Sequence, residues 1–202
     1  MMSGVILAGG LRGRQDGEPI ALLPFAGEIL LQRQIKELRK VCDDILISVD
    51  EPRPFLTAVE ADIRIITDFY AGKGLLGGMH AGLSLAKYSS VWIVGCGMPF
   101  LSAKAALILR KLQQSGIDAA IPVSGGYRSP LHGVYSKDCA AHIQRLMLNE
   151  NATPELLMDT LHIAEAAEEL FMAAGINPHF TMDLDSVDAY RASAVKRNIQ
   201  FQ

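Results

Sequence analysis

Short, mostly apolar runs alternate along this chain with longer segments of helical period, and that alternation leaves few architectures open. Ser3 to Ala8 is a continuous apolar run that stops at Gly9-Gly10, the pattern of a strand buried on both faces. Ile45 to Val49, Ile63 to Ile66, Val91 to Gly95 and Asp118 to Val123 read as the further strands. Between them, Glu28 to Val41 places Ile29, Leu30, Ile35 and Leu38 at helical spacing. Pro52 to about Ala61, Met79 to Lys87 and a segment capped by Ser102 that runs to Ser115 read as further helices. Parallel strands need crossovers of this length. The pattern therefore predicts an α/β chain in three layers, a mostly parallel sheet flanked by helices.

After Gly125-Gly126 the period changes. Tyr127 to Tyr135 reads as a strand free to run antiparallel, and Ser136 to Leu148 as a helix. Thr153 to Leu161 is a helix opened by Thr-Pro-Glu, a cap followed by proline at the first helical position. Asn151 to Gly175 is expected to leave the sheet as a small excursion. No repeat or linker divides the 202 residues, so residues 1–202 are expected to form one domain.

Charge and composition exclude several functions. Nineteen basic residues against 22 acidic give a net charge of −3, so no summed positive field holds a polyanion such as nucleic acid. The longest apolar runs stop far short of the ~20 residues of a bilayer span, and the first residues lack the basic flank of a signal peptide. A cytoplasmic protein without membrane contact is expected. Cys42, Cys96 and Cys139 are odd in number and lack CxxC spacing, which fits reduced packing residues.

Ligands of open α/β sheets bind beyond the carboxyl ends of strands, so the strand exits should carry the chemistry. Leu7-Ala8-Gly9-Gly10 follows the first strand, Thr67-Asp68 the third, and Gly95-Cys96-Gly97-Met98-Pro99-Phe100 the fourth. Glycines let backbone N–H groups turn toward an anion, and Arg12 and Arg14 add guanidinium groups suited to phosphate. Taken alone, the glycines equally serve the turns and the arginines a solvated surface. Neither a GxGxxG fingerprint nor a GxxxxGK[ST] loop is present, and His80, His132 and His179 form no evident triad. His80 and His132 read as caps or surface residues, and Met79 and Met98 as packing groups.

As an ordered series, these segments resemble the MobA-like nucleotidyltransferases. Gly4 to Gly10 with Arg14 resembles LAGGxSxRMGxxK, and Leu22 to Gly27 followed by Ile29 to Arg33 is similar to what comes next there. Asp68 with Gly74-Leu75-Leu76-Gly77-Gly78 and Ala81-Gly82-Leu83 resembles D…GPLAGxxAGL. Cys96 to Leu101 resembles CDMPFL, and Pro130 to Tyr135 resembles PLxxxY. The resemblance implies a Rossmann-like or GT-A-like fold and transfer of GMP from GTP to molybdopterin with Mg²⁺, releasing pyrophosphate. It also implies transient contacts with molybdoenzymes or cofactor-biosynthesis proteins. Leu7, Ala8, Gly9, Gly10 and Arg12 would hold the nucleotide with Gly77 and Gly78, Arg14 would act on phosphate, and Asp68 would sit at the base or ribose.

The chain departs from that pattern at the most demanding positions. The aspartate of CDMPF, which resembles the family's magnesium ligand, is Gly97; Pro19 or Ile20 stands where the first loop's lysine should be. Asp183-Leu184-Asp185 resembles a segment near the family's carboxyl end. On a strand it would put both carboxylates on one face, as a hard cation requires. Restoring a carboxylate at Gly97 is then expected to raise the rate, unless Asp183 or Asp185 already holds the metal. Two other readings stay open: a nucleotide- or cofactor-binding paralogue without transferase activity, and a cytidylyl or sugar-phosphate nucleotidyltransferase on the same fold.

Overall fold

A computed structural model describes residues 1–10, 14–15, 18–70, 72–114 and 116–184. Its strands are β1 (Ser3–Leu7), the paired β2 (Arg14–Gln15) and β3 (Glu18–Pro19), the paired β4 (Pro24–Phe25) and β5 (Glu28–Ile29), then β6 (Asp44–Ser48) and β7 (Arg64–Ile66). They continue with β8 (Ser90–Gly95), β9 (Ala119–Ser124), β10 (Tyr127–Arg128), β11 (Gly133–Ser136) and β12 (Ile163–Ala167). The helices are α1 (Leu30–Leu38), α2 (Gly74–Leu85), α3 (Ala103–Leu112), α4 (Cys139–Leu146), α5 (Pro154–Thr160) and α6 (Glu168–Ala173).

The main sheet runs β7, β6, β1, β8, β11, β9, with β12 added in parallel to β9 and β10 antiparallel to the end of β9. Only β10 and β11 oppose the common direction. Alternation along each strand feeds two cores. Val5 and Leu7 of β1, Leu46 of β6 and Ile93 of β8 face α2, α4 and α5 with Leu76, Leu83, Ile143 and Leu157. Ile6, Ile47, Trp92 and Val94 face α1, α3 and α6 with Leu31, Leu38, Leu109 and Phe171. This is the expected three-layer fold. The three cysteines are buried and free, and among the described residues no helix is long and apolar enough to cross a membrane.

Four local expectations are corrected. Pro52 to Ala61 holds only a three-residue 3₁₀ turn, Arg53–Phe55, because Pro52 and Pro54 remove two donors within three residues. The helix read from Met79 begins earlier, at Gly74, since tertiary packing overrides glycine's poor propensity. A Cβ on Gly82 would come within 2.6 Å of Val5 Cγ1, so α2 lies closer to β1 than any larger residue allows. The segment 127–135 splits at Pro130 and His132 into β10 and β11. The stretch expected to leave the sheet instead supplies α5 and the edge strand β12. Ser102 and Thr153 do cap α3 and α5, accepting from Ala105 N at 3.1 Å and Leu156 N at 3.2 Å.

His132 is neither exposed nor a conventional cap. It is fully buried in a left-handed conformation with φ 61°, against Trp92 and Phe180. Its ring nitrogens face Trp92 Nε1–H at 3.3 Å and Ser102 N–H at 3.1 Å, of which a neutral ring can accept one. Protonation would set N–H against N–H on both sides. Burial pushes its pKa from 6.5 down to about 3. The unfolded chain therefore takes up this proton first, and stability is lost as pH falls from 6.5 toward 3, by at most roughly 1.4 kcal/mol per pH unit. Calorimetry at pH 7 and pH 4.5 should find the melting temperature of His132→Asn lower than wild type at pH 7 but less dependent on acid. Equal acid dependence would remove His132 from that role.

Candidate active site at the strand exits

Four parallel strands end on one rim: β1 at Leu7, β6 at Ser48, β7 at Ile66 and β8 at Gly95. The chain runs outward from β1 to β6 and β7, then crosses to β8 on the other side of β1. The order reverses at β1, and such a switch point leaves a crevice for ligand.

Leu7 and Ala8 are buried at the head of this crevice, with Ala8 N–H donating to the Ser48 carbonyl at 2.8 Å. The following turn is held from β6. Asp50 accepts Gly10 N–H at 2.7 Å, and its other carboxylate oxygen lies 2.6 Å from where a Cβ on Gly9 would stand. Gly10, at φ 85°, occupies a conformation that L side chains rarely adopt.

Asp68, two residues beyond β7, is partly buried. Its Oδ1 accepts from Ser48 Oγ at 2.9 Å, and its Oδ2 lies 2.6 Å from where a Cβ on Gly77 would stand. Gly78 fits less tightly against Leu7 Cδ2 and Ser48 Oγ, each 3.3 Å from its absent Cβ. Gly77 and Gly78 are themselves buried, so they bring the start of α2 against the carboxylate and the end of β1. Burial raises the Asp68 pKa, the Ser48 hydrogen bond opposes the rise, and the charge of Asp50 adds to it.

At the exit of β8, Gln34 on α1 donates through Nε2 to the carbonyls of Gly95 at 2.8 Å and Met98 at 2.9 Å, and Arg33 Nε donates to Pro99 at 2.9 Å. These bonds fix the turn that carries Gly97. Leu184 N–H donates to the Gly97 carbonyl at 2.8 Å. A Cβ on Gly97 would overlap Asp183 Oδ1 and lie 2.8 Å from the Leu184 carbonyl oxygen. The Asp183 carboxylate thus occupies space that any side chain at position 97 would need.

Leu7, Ala8, Gly9, Gly10, Asp68, Gly77, Gly78, Gly97 and Asp183 all lie at these strand exits or against them. Arg12 and Asp185 fall outside the described residues, and Arg14 is placed through its backbone in β2. Asp183 and Leu184 are not in a strand, so the expected alternation does not set Asp183; the bond to Gly97 and the burial of Leu184 do. His80 lies within α2, buried between the rings of Phe69 and Tyr70, which corrects its reading as a cap or surface residue. A hollow of about 540 Å³ lined by Met158, Asp159 and His162 lies at the starts of β9 and β12, the opposite end of the sheet from this crevice.

Sequence reasoning missed Ser48, Asp50 and Gln34. Gln34 carried a signal: it is a polar residue at the apolar spacing Leu30, Gln34, Leu38 of α1. Asp50 follows a buried strand as closely as Asp68 does.

Residues 4–165 match the family model described as the MobA-like NTP transferase domain. A protein of Pelotomaculum thermopropionicum named "Probable molybdenum cofactor guanylyltransferase" is 36% identical over 144 residues, 70% of this chain and 67% of its own. The molybdenum cofactor guanylyltransferase of Desulfosudis oleivorans is 29% identical over 174 residues, 85% of this chain and 84% of its own. Among solved structures, the molybdopterin-guanine dinucleotide biosynthesis protein A of Archaeoglobus fulgidus superposes with TM-score 0.80 at 18% identity, covering 97% of this chain and 98% of that one.

Proposed function

This chain belongs to the MobA-like NTP transferase family, and from that premise we propose that it transfers GMP from GTP to molybdopterin with release of pyrophosphate. The names of its relatives support a place in molybdenum cofactor biosynthesis. The observation that carries the reading is the Asp183 carboxylate set against Gly97. It favours a transferase over a binding paralogue that has lost the acidic group of this exit.

Magnesium is commonly held by one or two carboxylates together with substrate phosphates. Asp183 offers one hard anionic oxygen, and among the described residues no three His, Cys, Asp or Glu side chains gather as a metal cage. That donor set fits an ion completed by the nucleotide's phosphates. Bound there, Mg²⁺ would neutralise charge developing on the departing pyrophosphate.

In the transfer, an acceptor phosphate oxygen forms a bond to the α-phosphorus as the bond from that phosphorus to the bridging oxygen of pyrophosphate breaks. Little covalent work falls to the protein, and positioning dominates. Asp50 and Asp68 place two carboxylates at the β6 and β7 exits, where they repel phosphate and accept from N–H and O–H groups. The base and ribose belong on that side, the base as guanine because its edge presents two adjacent donors. The phosphates then extend toward the first loop, with Arg12 and Arg14, and toward Asp183.

Pyrophosphate release from GTP, CTP and ATP with molybdopterin, with and without Mg²⁺, tests the reading. Metal-dependent release specific to GTP supports it; metal-independent GTP binding with no release would make the chain a binding protein. Asp68→Asn should weaken GTP binding about tenfold, since a hydrogen bond to a charged group is lost. It should not lower thermal stability at pH 7. Its folded pKa lies above the unfolded value, so native stability declines as pH rises through the folded pKa and Asp68 ionises; the amide escapes this and still accepts from Ser48. Titration calorimetry and thermal melts check both parts. Unchanged affinity with a lower melting temperature would make Asp68 a structural residue.

A further inference from the structure

We infer that Leu184 is a positioning residue for the divalent cation: it holds the Asp183 carboxylate at the β8 exit, so that docking of segment 178–184 and cation binding form one coupled equilibrium. The inference rests on the magnesium reading above and concerns how the ligand is delivered.

Asp183 is exposed and belongs to no helix or strand. It is suspended between two buried neighbours. On one side, Phe180 is 3% exposed and stacks edge-on against His132 at 4.6 Å and Phe171 at 4.7 Å. On the other, Leu184 is also 3% exposed and enters a small cluster with Ile20, Phe25 and Leu30, against which Phe100 packs. Leu184 N–H donates to the Gly97 carbonyl, which fixes the backbone beside Asp183 to the turn after β8. An aspartate on that turn itself would be ordered by the sheet. This carboxylate is ordered only when its segment docks.

Ile20 lies at the end of the first loop, Phe25 follows it, and Leu30 begins α1. The contact that seats Leu184 is therefore built from chain leading out of the proposed nucleotide loop. Whatever stabilises Asp183 in place, including a cation, stabilises the docked segment by the same factor, because linkage is reciprocal. Removing the Leu184 side chain leaves the ligand's chemistry intact and loosens its position.

Mn²⁺ is the probe, its affinity read from the electron paramagnetic resonance of the free ion in the presence of GTP. Full-length wild type, Asp183→Asn, Leu184→Ala, Leu184→Val and Leu184→Met are compared, each with a thermal melt. Asp183→Asn and Leu184→Ala should each raise the Mn²⁺ dissociation constant about tenfold or more, Leu184→Val should fall between, and Leu184→Met should stay within about threefold of wild type. Mn²⁺ with GTP should also raise the melting temperature of wild type more than that of Leu184→Ala. If Asp183→Asn loses affinity while a folded Leu184→Ala or Leu184→Val keeps it, the positioning role is wrong and the metal reading survives. If Asp183→Asn binds Mn²⁺ as wild type does, the metal reading fails and takes this inference with it.

Discussion

Gly97→Asp is expected to reduce metal-dependent transfer by about tenfold or more, the reverse of what restoring a family aspartate suggests. The reason is occupancy. A Cβ at position 97 would overlap Asp183 Oδ1 and stand 2.8 Å from the Leu184 carbonyl oxygen, so the new side chain displaces the segment that delivers the existing carboxylate. Two like charges would also share one small space, raising a pKa and weakening both as ligands. The turn cannot yield easily, because Gln34 holds the carbonyls of both Gly95 and Met98 from inside the protein. Overpacking of this kind costs about 1–3 kcal/mol, and for a chain of this length that is a fall in melting temperature of roughly 5 °C. Gly97→Ala should show part of the same loss without adding charge. Gly97→Asp combined with Asp183→Gly should recover activity relative to either single change, since one carboxylate then has the space to itself. Pyrophosphate release and thermal melts of the four variants decide it. A Gly97→Asp enzyme faster than wild type would sink the occupancy argument and return the first expectation.

The fold was legible because its signals are local. Runs such as Ser3 to Ala8 declare a strand covered on both faces, and Ser102 and Thr153 mark helix starts through side chains whose bonds are in the structure. Where sequence reasoning erred, a distant contact decided. Gly74 to Gly78 falls outside the helix read from Met79 until β1 and Asp68 are seen against it, because only close tertiary approach makes its three glycines helical. The alanine-rich β12 carries no strong strand signal and is set by pairing with β9. Ser48 was invisible for the same reason, and the place of Asp50 after a strand told only half its role: a hydroxyl and a carboxylate acquire meaning from the Asp68 oxygen and the Gly10 N–H they meet. The absent aspartate at Gly97 was plain in the sequence. That Asp183 fills its space, 86 positions along the chain, is a fact of three dimensions only.

Asp183→Asn is expected to lower the rate of GMP transfer on the order of 10²-fold at a fixed, low Mg²⁺ concentration, with little change in melting temperature. The amide is nearly isosteric, so the fit against Gly97 and the Leu184 bond remain; what is lost is the negative charge. A hard cation held by a protein carboxylate and substrate phosphates would depend strongly on that one charge, since among the described residues no group of three or more His, Cys, Asp or Glu side chains forms a metal cage. The loss should therefore appear first as a raised Mg²⁺ requirement, and part of the rate should return as Mg²⁺ is increased. GTP binding without metal should change little, because the base and ribose contacts proposed for Asp50 and Asp68 would lie on the other side of β1. This pattern separates a metal ligand from a general brace: a brace would lower the rate at every Mg²⁺ concentration and lower the melting temperature with it. Rates measured against Mg²⁺ for wild type and Asp183→Asn, with metal-free GTP titration alongside, give the outcome. An Asp183→Asn enzyme as fast as wild type across the whole series would show that the carboxylate against Gly97 takes no part in transfer, and would shift the search for the metal ligand to Asp185.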